Sequence, residues 1–187
     1  TMQTQALSTR GLSAIAGLNI SNTLNNVVNT FFLTMGIAIS IVIGQLIGAG
    51  KLKEAKETDT KMITFSLMIS LGVSALLLIA APLFPRIYNT TGEIRYLATR
   101  FILVYVLATP FNAFTNAAYF TLRSGGKTVM TFIFDSGFIW AVNVPVAMLL
   151  AHFTNLPIVW MFFIISMLDA IKSVVGFILV KKGDWLN

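Results

Sequence analysis

Asp135 stands in the stretch TFIFDSGFIWAVNVP, residues 131–145, with Phe132, Ile133, Phe134, Phe138, Ile139 and Trp140 around it. A carboxylate at the centre of a membrane helix costs about 2.5–3.5 kcal/mol on insertion scales. That cost is tolerable where the group faces a cavity, pairs with a cation or takes up a proton. One carboxylate that accepts either a proton or a cation can exchange the two. Trp140 offers an aromatic face to an organic cation, and Phe134 and Phe138 keep the surroundings apolar. The competing reading of Asp135 is a static contact between helices.

Two amide stripes accompany the acid. In GLNISNTLNNVVNTFF, Asn19, Asn22, Asn26 and Asn29 are spaced by three, four and three and share one helical face. In TPFNAFTNAAYF, Asn112, Thr115, Asn116 and Tyr119 again share a face, and Pro110 just before them frees backbone carbonyls by interrupting the helical bonds. Amides can hydrogen-bond neighbouring helices or line a water-filled cavity. The cavity reading selects Asn22, Asn26, Asn112, Asn116 and Tyr119, with Asp135 and Trp140, as its walls. Asp169 and Lys172, three residues apart in MLDAIKSVVG, predict an internal ion pair.

These residues must be positioned by membrane helices. Of the 187 residues, 56% are hydrophobic and only 11% charged, where a soluble domain carries about 25% charge. Apolar segments recur at 13–48, 62–84, 97–122, 128–151 and 157–180, each longer than the ~20 residues needed to cross the hydrocarbon. Gly48, Gly50, Pro82, Pro85, the Gly125-Gly126 pair, Asn155 and Pro157 mark the breaks. The expected fold is an all-α transmembrane bundle of five full spans, with the end of a sixth in residues 1–9, because backbone groups in lipid must be satisfied within helices. Thr1 precedes Met2 and no signal-peptide pattern follows, so a piece of a longer chain is expected.

Charge gives the orientation. Lys51, Lys53, Lys56, Lys61, Arg123, Lys127, Lys181 and Lys182 gather on one side, and Arg10, Arg86, Arg95 and Arg100 on the other. The larger group predicts the cytoplasmic face and a cytoplasmic C-terminus. The net charge of +6 forms no basic face interleaved with aromatics, which excludes nucleic-acid binding. Without cysteine, thiolate metal sites and cysteine nucleophiles are excluded, and the single His152 builds no metal cluster. RSGGKT ends like a phosphate-binding loop, but Thr121 occupies the place of its first glycine. No arrangement of Ser, His and Asp supports a hydrolase, so no enzyme is expected.

STRGLSAIAG at 8–17, GQLIGAGKLKEA at 44–55, YFTLRSGGKT at 119–128, FDSGFIWAVNVP at 134–145 and GFILVKKGDW at 176–185 together resemble the second half of multidrug and toxic compound extrusion (MATE) transporters. The resemblance covers nearly the whole chain. It implies the C-terminal lobe, residues 1–187, of a two-lobe, twelve-helix transporter of the plasma (inner) membrane, running from late helix seven through helix twelve. It also implies export of organic, often cationic, compounds in exchange for sodium or protons, with no cofactor beyond the coupling ion. The partners expected are small organic cations, the lipid bilayer and the N-terminal lobe of the same protein. By position, Asn112 falls where some sodium-coupled members carry an aspartate in helix ten. The acid those members use in helix seven has no counterpart in residues 1–9. Protons in other members act in the first lobe, which leaves Asp135 as the acid best suited to a cavity here. The alternatives are a flippase for lipid-linked oligosaccharides, which calls for a cationic cavity, and a non-transporting scaffold, in which the polar stripes are packing contacts only.

Overall fold

The structure is a computed structural model and describes residues 11–154, 156–183 and 185. The sixth-helix end expected in residues 1–9, Arg10, and the Asn155 break lie outside the described residues. Five helices follow in order: α1, Leu12–Gly48; α2, Leu52–Leu83, prolonged by a 3₁₀ turn, Phe84–Ile87; α3, Gly92–Ser124; α4, which runs from Thr128 to Phe153; and α5, Ile158–Lys182. All five are long and apolar enough to cross a membrane, and no strand occurs among the described residues. The chain is an integral membrane helix bundle.

Local chemistry explains how polar residues enter these helices. In α1 the hydroxyls of Thr23, Thr30 and Thr34 each donate to the carbonyl four residues earlier, at 2.8–2.9 Å. Such bonds satisfy a hydroxyl without water. At 37 residues α1 is about 55 Å long, well beyond the ~30 Å hydrocarbon thickness. Gly50, at φ 72°, makes the turn into α2. The second helix starts at Leu52 rather than at residue 62, because its first turns are charged and hydropathy alone hides them. Glu54 lies in the first turn, where the helix dipole favours an acid, and pairs with Lys51 at 3.1 Å. Buried at 1% exposure within this charged stretch, Asp59 accepts a 2.5 Å hydrogen bond from the Thr121 hydroxyl and ties α2 to α3.

The central helix is α3, packed against α1, α2 and α5. Close approach depends on small residues. A Cβ on Gly36 would collide with the Phe120 ring, and one on Gly176 would fall 2.9 Å from Phe134 Cζ. Two apolar clusters result, one toward each membrane face. Leu18, Phe101, Val104, Met161, Phe162 and Ile165 anchor the first. Ile39, Ile43, Ile63, Leu122, Phe134 and Trp185 anchor the second. Between them, at the level of residues 112–119 of α3 and 169–173 of α5, lies a polar layer.

α4 is irregular where it crosses that layer. Its α-helical ends, Thr128–Phe132 and Val144–Phe153, flank two stretches of i→i+5 winding, Ile133–Gly137 and Ile139–Asn143. In a 3.6-residue turn, residues four apart drift steadily around the axis. The wider turns offset the drift, so Asp135, Ile139 and Asn143 line a single cavity. Wide turns of this kind are frequent at functional sites.

Candidate functional site: a polar intramembrane cavity

The polar layer encloses a cavity of about 830 Å³ between α1, α3, α4 and α5. Asn112, Asn116 and Tyr119 enter it from α3, Asp135, Trp140 and Asn143 from α4, and Asp169 and Lys172 from α5. Asn29, Thr115 and Arg123 complete its polar lining. Its dominant contact joins two helices. Lys172 Nζ lies 2.5 Å from Asp135 Oδ1 and 5.3 Å from the centroid of the Phe134 ring. The two partners differ in environment: the lysine side chain is 8% exposed and the aspartate side chain 41%. Lys172 is thus held inside the protein, while Asp135 keeps part of its carboxylate open to the cavity.

The pairing read from sequence differs from this. The sequence pairs Lys172 with Asp169, one turn away on its own helix, whereas its ion pair in the structure is with Asp135 on the facing helix. Asp169 lines the same cavity one turn farther along α5, where Asn143 enters from α4. The Asn143 side chain is buried, and its Oδ1 has no hydrogen-bond partner. An unmatched buried acceptor costs about 1–3 kcal/mol. A donor or cation entering the cavity would relieve that cost.

The helical stripes reach the cavity in part. Asn112, Asn116, Tyr119, Asp135 and Trp140 line it, together with Asp169 and Lys172. Asn22 and Asn26 do not. Asn22 lies two turns from Asn29 along α1, about 10 Å, and there its Oδ1 accepts a 2.6 Å hydrogen bond from the Tyr105 hydroxyl. Asn26 is on the exposed side of α1. The stripe fixed a face but not a depth, and its cavity member is Asn29. Arg123 was read only as part of the basic loop. Its last-turn position in α3 hid the reach of a long side chain into the layer.

Pro110 lies inside α3 and has no N–H to donate to Val106 O. The helix continues through it. The Thr109 hydroxyl donates to Tyr105 O at 2.7 Å, and the Ser173 hydroxyl of α5 lies 3.0 Å from Phe111 O. Ser173 is also 2.9 Å from the Thr115 hydroxyl and 2.9 Å from Asp169 O. With one hydrogen it donates to one carbonyl and accepts from Thr115. This clasp fixes α5 against α3 just below Lys172 and so sets the lysine's position.

Known proteins decide what kind of scaffold carries this cavity. The MatE family profile matches residues 4–149. The chain belongs to the MatE family. Among the relatives of this MatE chain, the "Probable multidrug resistance protein YoeA" of Bacillus subtilis (strain 168) is 28% identical over 154 residues, which are 80% of this chain and 33% of that protein. The "Multidrug and toxin extrusion protein 1" of Homo sapiens is 23% identical over 145 residues, 76% of this chain and 25% of that one. A solved MOP superfamily transporter from Pyrococcus furiosus, described as having a binding pocket of reversed polarity, matches with a TM-score of 0.88 at 17% identity, over 98% of this chain and 40% of its own. That likeness shows the fold, a helical lobe of transporter architecture. The chain spans about a quarter to two fifths of the lengths of these proteins. Its family is one of transporters, not of enzymes.

Proposed function

We propose that this MatE chain forms the cation-handling lobe of a plasma-membrane exporter of organic compounds, driven by exchange for sodium or protons. The observation that supports this most is the unequal pair: a buried Lys172 held by a half-open Asp135 in a cavity of about 830 Å³. Lys172 serves as the resident counter-charge. An organic cation entering beside Trp140 competes for the open edge of Asp135, and the aromatic face adds a cation–π contact. Displaced, Lys172 has Asp169 one turn away as its alternative partner, so no charge is left stranded in a low-dielectric layer. A proton or sodium ion displaces the organic cation from the carboxylate on the return step, and Lys172 re-pairs with Asp135 once that ion leaves. Binding the competing cations at one site, in states that exclude each other, is sufficient for exchange.

In this reading the basic side, with Lys51, Lys53, Lys61 and Lys127, is cytoplasmic, as is the C-terminus. Rocking of this lobe against the other lobe of the full protein supplies alternating access. A flippase for anionic headgroups is the second reading, since Arg123 and Lys172 both line the cavity. It is less well supported, because Lys172 is already engaged by Asp135. A scaffold is less well supported still, as five of the seven cavity residues proposed from sequence converge on one space.

The test is efflux by the full-length protein. Cells expressing it are loaded with ethidium and energised in sodium buffer, then in sodium-free buffer at two external pH values. Export faster than in cells without the protein, and dependent on one of the two ions, is the expected result. Ethidium retention equal to the control under every condition would refute the export reading.

A further inference from the structure

We propose that the groove between α4 and α5, on the side of α4 away from the polar cavity, binds an acyl chain of an anionic phospholipid whose phosphate is held by Lys127. This inference is independent of the transport reading. The groove, open along one side, has a volume of about 950 Å³ and runs from Gly126, just before α4, to Val142, with Val175 and Leu179 of α5 as its other wall. At helical rise that length is on the order of 20 Å, enough for a chain descending through one leaflet of a ~30 Å hydrocarbon layer. Its floor is low because it is built of Gly137 and Ala141. The atoms nearest to a Cβ on Gly137 would be those of Ile133 and Phe132 on its own helix, at 3.6 Å and beyond, an ordinary van der Waals separation.

The chemistry of the lining selects the occupant. Every side chain along the groove is apolar except Lys127 at its basic end. No acid pairs with Lys127 among the described residues. Lys181, in the last turn of α5, adds positive charge at the same membrane face. An apolar slot ending in a lysine at headgroup level is complementary to an amphiphile with a negative head. Basic sites between membrane helices bind anionic lipid headgroups in this way. Another protein segment laid in the slot would have to bring an acid to Lys127 as well as an apolar face.

Native mass spectrometry of the full-length protein, exchanged into mixed micelles with equal amounts of phosphatidylglycerol and phosphatidylcholine, reads the site directly. One surface lysine favours an anionic lipid by about fivefold, so phosphatidylglycerol adducts should exceed phosphatidylcholine adducts by about that factor. Lys127→Gln should bring the ratio near one. Gly137→Leu, which fills the slot without touching the charge, should remove the adduct that Lys127→Gln makes unselective. Equal adducts in the unaltered protein, a preference that survives both substitutions, or no adduct at all would each overturn the proposal. The last result would mean that protein occupies the groove.

Discussion

Asp135→Asn in the full-length transporter is expected to abolish export of cationic dyes and to lower the melting temperature, while Lys172→Gln alone tightens dye binding. The asymmetry follows from exposure. Removing the acid takes away the 2.5 Å partner of Lys172, only 6% exposed, and leaves Asp169, one turn away, as its nearest acid. Breaking a fully buried pair in this way costs about 3–5 kcal/mol, and an exposed pair about 0–1 kcal/mol. With the Asp135 side chain 41% exposed to the cavity, the loss should lie between these, at about 1–3 kcal/mol. Removing the lysine instead leaves a carboxylate that cavity water can reach. The internal competitor is gone, so ethidium affinity should rise by at least about fivefold, with slower release and a lower turnover. Combining the two substitutions should restore the melting temperature but not export. Thermal melting, dye titration and efflux of the three variants separate these effects. If Asp135→Asn exports at the normal rate, the pair only joins α4 to α5.

Trp185→Ala is expected to be the most destabilising single substitution near the basic face, by about 3–5 kcal/mol. Trp185 is 1% exposed and belongs to the apolar cluster of Ile39, Ile43, Ile63 and Leu122. Its indole nitrogen donates to Val180 O at 3.0 Å, which satisfies the one polar atom it buries. Gly183, at φ 76°, ends α5 in the left-handed conformation that turns the chain back toward the bundle. Opposite lies Gly125, where a Cβ would collide with the Trp185 backbone. The tryptophan therefore clamps the end of α5 to the turn between α3 and α4. Trp185→Phe, which keeps most of the apolar volume, should recover more than half of the lost stability. A melting temperature unchanged in Trp185→Ala would show that the clamp holds nothing.

Much of the architecture was legible in the sequence because hydropathy sets the helices and glycine and proline set their ends. The start of α2 was not. KLKEAKETDTK reads as a solvated charged run, and only packing against α3 reveals that Asp59 is buried against Thr121. Asp135 was legible as an acid needing a reason, but its partner was not. Spacing along a helix favours Asp169 for Lys172. The pair that forms depends on how α4 and α5 face each other and on the wide turns around residue 135, which no local pattern displays. The amide stripes behaved similarly: periodicity gives the face of Asn22, Asn26 and Asn29, while the opposing helix decides which of them meets Tyr105 and which meets the cavity. Arg123 was hidden because a basic residue at a helix end reads as a headgroup anchor.

The most direct test of the cation-binding cavity is the rate at which a membrane-impermeant maleimide labels Asn116→Cys in the full-length protein, its other cysteines replaced, with and without ethidium. Asn116 lines the cavity with Asp135 and Lys172. Labelling is expected in the absence of dye, with a concentration-dependent slowing when ethidium fills the site. Labelling that proceeds at the same rate at saturating ethidium, or that never occurs, would contradict it.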